Sequence, residues 1–159
     1  MSLRQERNWR NVPEEQDEKI SVDACIAIKW ANPSEQFGDI AKRMLQDYKQ
    51  GELSFAMPEF FYYEIASGIS KSVARGSITR EEGEEALNDI LDMEIEIHSF
   101  PDVKTVYSFS QIYKRSIYDC FYLFLAQKLK IELWTADKKL YDSVKNKLQF
   151  VKWIEDYGS

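Results

Sequence analysis

The chain has 159 residues, with 21 Lys plus Arg against 27 Asp plus Glu, one His and two Cys. That length predicts one domain burying roughly two-thirds of the surface its unfolded chain exposes, and a content of 44% hydrophobic and 14% aromatic residues predicts a packed interior. His98, Cys25 and Cys120 fall one short of a structural zinc set, two distant Cys predict thiols in a reducing cytoplasm, and a net charge of −6 argues against holding nucleic acid on a broad basic surface, though not against reaching phosphate through a bound divalent metal.

Residues 1–17 read as a flexible polar tail, because Arg4, Arg7 and Arg10 run into Glu14, Glu15 and Asp17 with no apolar period. The charged start shows no secretory signal. The longest strongly apolar run, Cys120 to Ala126, is far short of the roughly 20 residues that span a bilayer. One domain is expected over 18–159, with no membrane association and a cytoplasmic location.

Within that domain Ile20-Ser21-Val22 is a short strand candidate ending at Asp23. A helix is expected from about Gln36 to Gln50, with Ile40, Met44, Leu45 and Tyr48 on one face and Gly51 as its stop. Leu53 to Met57 reads as the second strand. Pro58 is then expected as the first residue of a helix running to about Ala74, with Phe61, Ile65 and Ile69 at four-residue spacing. Gly76 ends that helix, and Ser77 to Thr79 cap another through about Leu91. Ile95, Ile97 and His98 form a third strand candidate. Helical patterns cover Val103 to Tyr113 and Ile117 to Leu129. Glu132 to Thr135 is a fourth strand, Lys138 to about Lys145 a helix, and Leu148 to Val151 a fifth strand. Short strands alternating with helices imply right-handed crossovers, hence a three-layer α/β/α fold with a mostly parallel sheet of about five strands.

In such sheets ligands gather at the carboxyl ends of the strands, where strand order reverses. Asp23 follows the first strand and Asp137 the fourth. Asp119 lies near the start of the Ile117 helix, and Glu64 borders the apolar stripe of the Pro58 helix. Carboxylates brought within a few ångströms repel unless a cation neutralises them. Oxygen ligands without His select Mg²⁺ or Mn²⁺, and such a centre can activate water against a phosphodiester. Each acid also has a purely structural reading. Ser116-Ile117-Tyr118-Asp119 fits a capping box, Asp137 can cap the next helix, Asp23 can end a strand, and Glu64 can pair with a Lys. His98 reads as an ordinary strand residue, Cys25 and Cys120 as small packing thiols, Phe121 to Leu125 as core or subunit contact, and Glu81 to Glu85 as a solvated helix face. No Gly-rich phosphate loop is present.

Four segments of the chain resemble the motifs of PIN-domain nucleases, especially the VapC-type toxins of prokaryotic toxin–antitoxin pairs, over about residues 20–151. Val22-Asp23-Ala24-Cys25-Ile26-Ala27-Ile28-Lys29-Trp30 is similar to the first motif, and Pro58-Glu59-Phe60-Phe61-Tyr62-Tyr63-Glu64-Ile65 to the second. Ser116 to Ala126, containing Asp119, is the most specific match, and Leu133 to Leu140, containing Thr135 and Asp137, resembles the fourth. The resemblance implies a Mg²⁺- or Mn²⁺-dependent endoribonuclease, usually a homodimer and held inactive by a cognate antitoxin. Asp23, Asp119 and Asp137 would hold metal, Glu64 would ligate it or position the attacking water, and Ser116 and Thr135 would support them.

Cys25 departs from the family's usual Ser or Thr, which is expected to remove a hydrogen-bond donor beside Asp23, and Cys120 replaces a usual Ala. Lys29, Lys114, Arg115, Lys138 and Lys139 are expected to supply local positive charge along the RNA path. Three rivals remain. A haloacid-dehalogenase-type phosphotransferase would need an acid where Cys25 stands. The other two are a non-catalytic interaction module with this fold and a stand-alone RNA-processing nuclease.

Overall fold

The computed structural model describes residues 17–99 and 102–159; the tail expected over 1–17 lies almost wholly outside them. Five strands form one parallel sheet: β1 (Glu18–Val22), β2 (Leu53–Pro58), β3 (Ile95–His98), β4 (Glu132–Thr135) and β5 (Val151–Trp153). Their order is β3-β2-β1-β4-β5. The first three strands step outward in one direction, and the chain then returns to lay β4 on the other side of β1. Strand order therefore reverses between β1 and β4, where Ile20 pairs with Glu132 and Val22 with Trp134.

Helices cover both faces, as continuous apolar strands in a parallel sheet require. They are α1 (Ala24–Ala31), α2 (Gly38–Lys49), α3 (Phe61–Ala74), α4 (Arg80–Leu91), α5 (Val103–Tyr113), α6 (Ile117–Leu129) and α7 (Lys138–Val144). Helix α1 packs with α2, α3 and α4, whereas α6, with α5 against it, crosses β1, β2 and β4. Ile20, Val22, Phe55, Met57 and Leu133 are buried within the sheet. Helix α6 buries Cys120, Tyr122, Leu123, Leu125 and Ala126 around most of its circumference, which makes it a core element. On α3, Gly68 lets α1 approach closely: a Cβ there would lie 2.2 Å from the Ile28 side chain. Thr79 and Glu82 close a reciprocal capping box at the start of α4, at 3.1 and 2.7 Å.

Three expectations need correction. Helix α1 was not anticipated, because its sequence, ACIAIKWA, carries almost no polar face to mark a period. Pro58 ends β2 rather than beginning α3, which starts at Phe61; it lies past the last β1 pairing, at Phe55, and the ladder to β3 continues beyond it, the Glu59 N–H donating to the His98 carbonyl at 2.9 Å. The fifth strand occupies Val151–Trp153 instead of Leu148–Val151. Leu148 is still tied to the end of α7, its N–H donating to the Val144 carbonyl at 2.8 Å.

Candidate functional site

The reversal point between β1 and β4 brings together two segments more than 100 residues apart in sequence. Asp23 leaves β1 and caps α1, its Oδ1 accepting from the Ile26 N–H at 3.3 Å. Asp137 leaves β4 and caps α7, its Oδ1 accepting from the N–H groups of Lys139 and Leu140 at 3.0 and 3.1 Å. Thr135, fully buried, links the two: its hydroxyl donates to Asp23 Oδ2 and accepts from the Asp137 N–H at 2.9 Å. The structural capping roles of both acids are thus real, and each uses only one carboxylate oxygen.

Asp119 stands in the first turn of α6, whose N-cap is Ser116; the Ser116 hydroxyl accepts from the Asp119 N–H at 3.1 Å. The Asp119 Oδ2 receives Arg115 Nε and Nη2 at 3.2 and 3.1 Å, and the same Nη2 lies 3.5 Å from Asp137 Oδ2. Glu64 sits in the first turn of α3. Its partner is not a Lys: Tyr122, reaching across from α6, donates its hydroxyl to Glu64 Oε1 at 2.9 Å.

The charges of the four acids act on one another in a closed ring: Asp23 with Asp137, Asp23 with Glu64, Glu64 with Asp119, and Asp119 with Asp137. Burial pushes the Asp23 carboxyl up from 3.8 to about 6, against hydrogen bonds from Cys25, Thr135 and Ile26 that pull it down. Burial also raises Glu64, with the charges of Asp23 and Asp119 adding to the effect while the Tyr122 hydroxyl opposes it. Asp119 is raised by burial too, although Arg115 counteracts this. Such a cluster accommodates positive charge more readily than four anions. Among the described residues, no three His, Cys, Asp or Glu side chains stand close enough to share one ion as they are placed. Arg115 supplies the cation between Asp119 and Asp137. The donor chemistry, carboxylate and hydroxyl oxygens at helix N-termini, suits a hard divalent ion.

Cys25 corrects an expectation. Its thiol donates to Asp23 Oδ1 at 2.6 Å, so Asp23 keeps a donor where a hydroxyl was expected to be missing. Burial and the Asp23 charge raise the Cys25 thiol well above its ordinary value, which keeps it a protonated donor. Cys120 is buried at the start of α6, behind Arg115.

A groove of about 770 Å³ opens beside Glu64 and Cys25, between α1 and α3. Lys71, Tyr63 and Tyr118 line it, and the two tyrosines are 80% and 59% exposed. Sequence reasoning named none of these three as functional; an aromatic beside an acidic motif and facing away from the apolar stripe was the available signal. Lys29, expected on an RNA path, is instead almost buried in the groove wall, 3.6 Å from Glu35, which Arg75 also approaches at 3.4 Å. Lys138 is turned to Asp142 at 2.6 Å, whereas Lys114 and Lys139 are exposed.

A parallel sheet with this reversal and with acids at its carboxyl edge defines a class, and the family model for the PIN domain matches residues 20–146. The chain belongs to the PIN-domain family. Among individual proteins it is similar to Ribonuclease VapC3 of Pyrobaculum aerophilum, 25% identical over 125 residues, covering 77% of this chain and 92% of that one. Its fold resembles the crystal structure of PAE2754 from the same organism, with a TM-score of 0.63, 18% identity and coverage of 87% and 92% of the two chains. The family resemblance drawn from the four motifs therefore stands.

Proposed function

We propose that the chain is a divalent-metal-dependent endoribonuclease, a single nuclease domain over 18–159, acting as the toxin of a VapBC-type pair. The observation that carries this reading is that Asp23 and Asp137, at the strand ends where strand order reverses, are tied together by Thr135, while Arg115 bridges Asp137 to Asp119 and Tyr122 of the same helix holds Glu64. Similarity to a ribonuclease of the VapC type supports the substrate and a cognate antitoxin as partner. Val103 and Tyr107, one turn apart on α5 and each 57% exposed, suit a homodimer contact. No helix among the described residues is long and apolar enough to cross a membrane, and a cytoplasmic location fits RNA as substrate.

In this reading Asp23, Asp119 and Asp137 hold Mg²⁺ or Mn²⁺, with Glu64 as a fourth ligand or as the group that orients the attacking water. When bound, the ion activates water and stabilises charge on the phosphodiester oxygens. Thr135 fixes Asp23 relative to Asp137, Ser116 holds the turn that presents Asp119, and Tyr122 fixes the carboxylate of Glu64. Tyr63 and Tyr118 offer ring faces for unpaired bases beside that carboxylate. The test is cleavage of a mixed RNA pool by wild type and by Asp119→Asn, with Mn²⁺ and with EDTA. Cleavage that needs metal and falls at least roughly 100-fold in the variant is expected; cleavage that survives either change refutes the reading.

A further inference from the structure

Arg115 is not one of the four acids, yet its guanidinium contacts two of them, Asp119 and Asp137. It precedes the Ser116 cap of α6, and the backbone reaches it through a left-handed residue, Lys114, at φ 54°. From there the guanidinium returns one turn to grip Asp119 Oδ2 with two nitrogens and extends to Asp137 Oδ2, joining acids from different segments. The side chains of Arg115 and Asp119 are only 21% and 26% exposed, so solvent screens the pair less than a surface ion pair. A divalent ion takes oxygen lone pairs at about 2.0–2.6 Å, so an ion held between the two Oδ2 atoms of Asp119 and Asp137 would need the place the guanidinium now occupies.

We propose that Arg115 is a built-in counter-ion that competes with the divalent metal for Asp119 and Asp137, holding the metal-free cluster together and moving aside when the ion loads. This rests on the metal reading above. It makes Arg115 a positioning residue rather than a catalytic one, and it gives the apparent metal affinity a component set by the chain itself.

The experiment is calorimetric titration of Mn²⁺ into the full-length protein as wild type, Arg115→Gln, Arg115→Lys and Asp119→Asn, with thermal unfolding of each in EDTA. Arg115→Gln is expected to bind Mn²⁺ roughly five- to tenfold more tightly, the scale of a partly shielded charge-assisted contact. Its metal-free Tm is expected to fall by roughly 2–4 °C, because the carboxylates lose their counter-ion. Arg115→Lys, which keeps the charge but not the two-nitrogen grip, is expected to lie between. A residue that merely supports the metal ligands would give the opposite sign, weaker binding on substitution. Equal or weaker affinity in Arg115→Gln, or in Arg115→Lys if the first variant folds poorly, overturns the proposal. Loss of binding in Asp119→Asn alongside that result refutes the counter-ion while leaving the metal site intact. No binding by any of the four proteins removes both.

Discussion

Asp23 is the acid whose environment is most altered, and replacing it by Asn isolates the energetic consequence. Its carboxyl, nearly fully buried, is held at about 6 against an ordinary value of 3.8. Between those values the folded protein carries a proton that the unfolded chain has already released. Folding stability from this group is therefore fully present below about pH 4 and lost as pH rises through about 6. The loss amounts to about 3 kcal/mol at about 1.4 kcal/mol per decade. Asp23→Asn removes the charge but cannot reproduce every bond: an amide oxygen replaces two carboxylate oxygens that accept from Cys25, Ile26 and Thr135. That deficit costs roughly 1–2 kcal/mol and is independent of pH over this range. In EDTA, at constant ionic strength, Asp23→Asn is thus expected to be the less stable protein at pH 4 and the more stable one, by about 1–2 kcal/mol, at pH 7. Urea unfolding of both proteins at half-unit pH intervals measures the difference directly, and the contributions of acids remote from Asp23 cancel. A difference that stays flat between pH 4 and pH 7 refutes the assignment of a buried, proton-retaining carboxyl to Asp23.

Two further outcomes follow from the bonds around that carboxyl. Thr135→Val keeps the shape but strands both the Asp137 N–H and Asp23 Oδ2, so it is expected to cost roughly 2–4 kcal/mol in urea unfolding. A cost under 1 kcal/mol would mean that the hydroxyl link is dispensable. Tyr122→Phe removes the one hydrogen bond that opposes the upward shift of Glu64, so the Glu64 carboxyl is expected to titrate at higher pH. Carboxyl NMR titration reads this, and a downward or absent movement contradicts the role given to the phenol.

The elements with a clear period or a clear stop were legible in sequence. Helix α2 ends just before Gly51, α4 begins at the Thr79–Glu82 box, and β1, β2 and β4 each hold a short buried run followed by Asp23, Pro58 and, two residues on, Asp137. Helix α1 was not, because a helix buried against α2, α3 and α4 has no solvated face and therefore no alternation to detect. At the site, strand-end acids could be located because local sequence places them. What sequence could not show are the contacts created by elements crossing: Tyr122 of α6 on Glu64 of α3, 58 residues apart, and Arg115 spanning to Asp137 across 22. Nor could it show that a thiol at position 25 would take the place of a hydroxyl donor, since that depends on the 2.6 Å approach of its sulfur to Asp23.

The return of β4 to the flank of β1 also sets an order of events during synthesis. Asp23 is made first, and Thr135, the tether to its neighbour across the crevice, follows 112 residues later. A growing chain still held on the ribosome before that point has its first acid without the wall that faces it. The acidic centre is therefore completed only once β4 and the start of α7 have been made and docked beside β1.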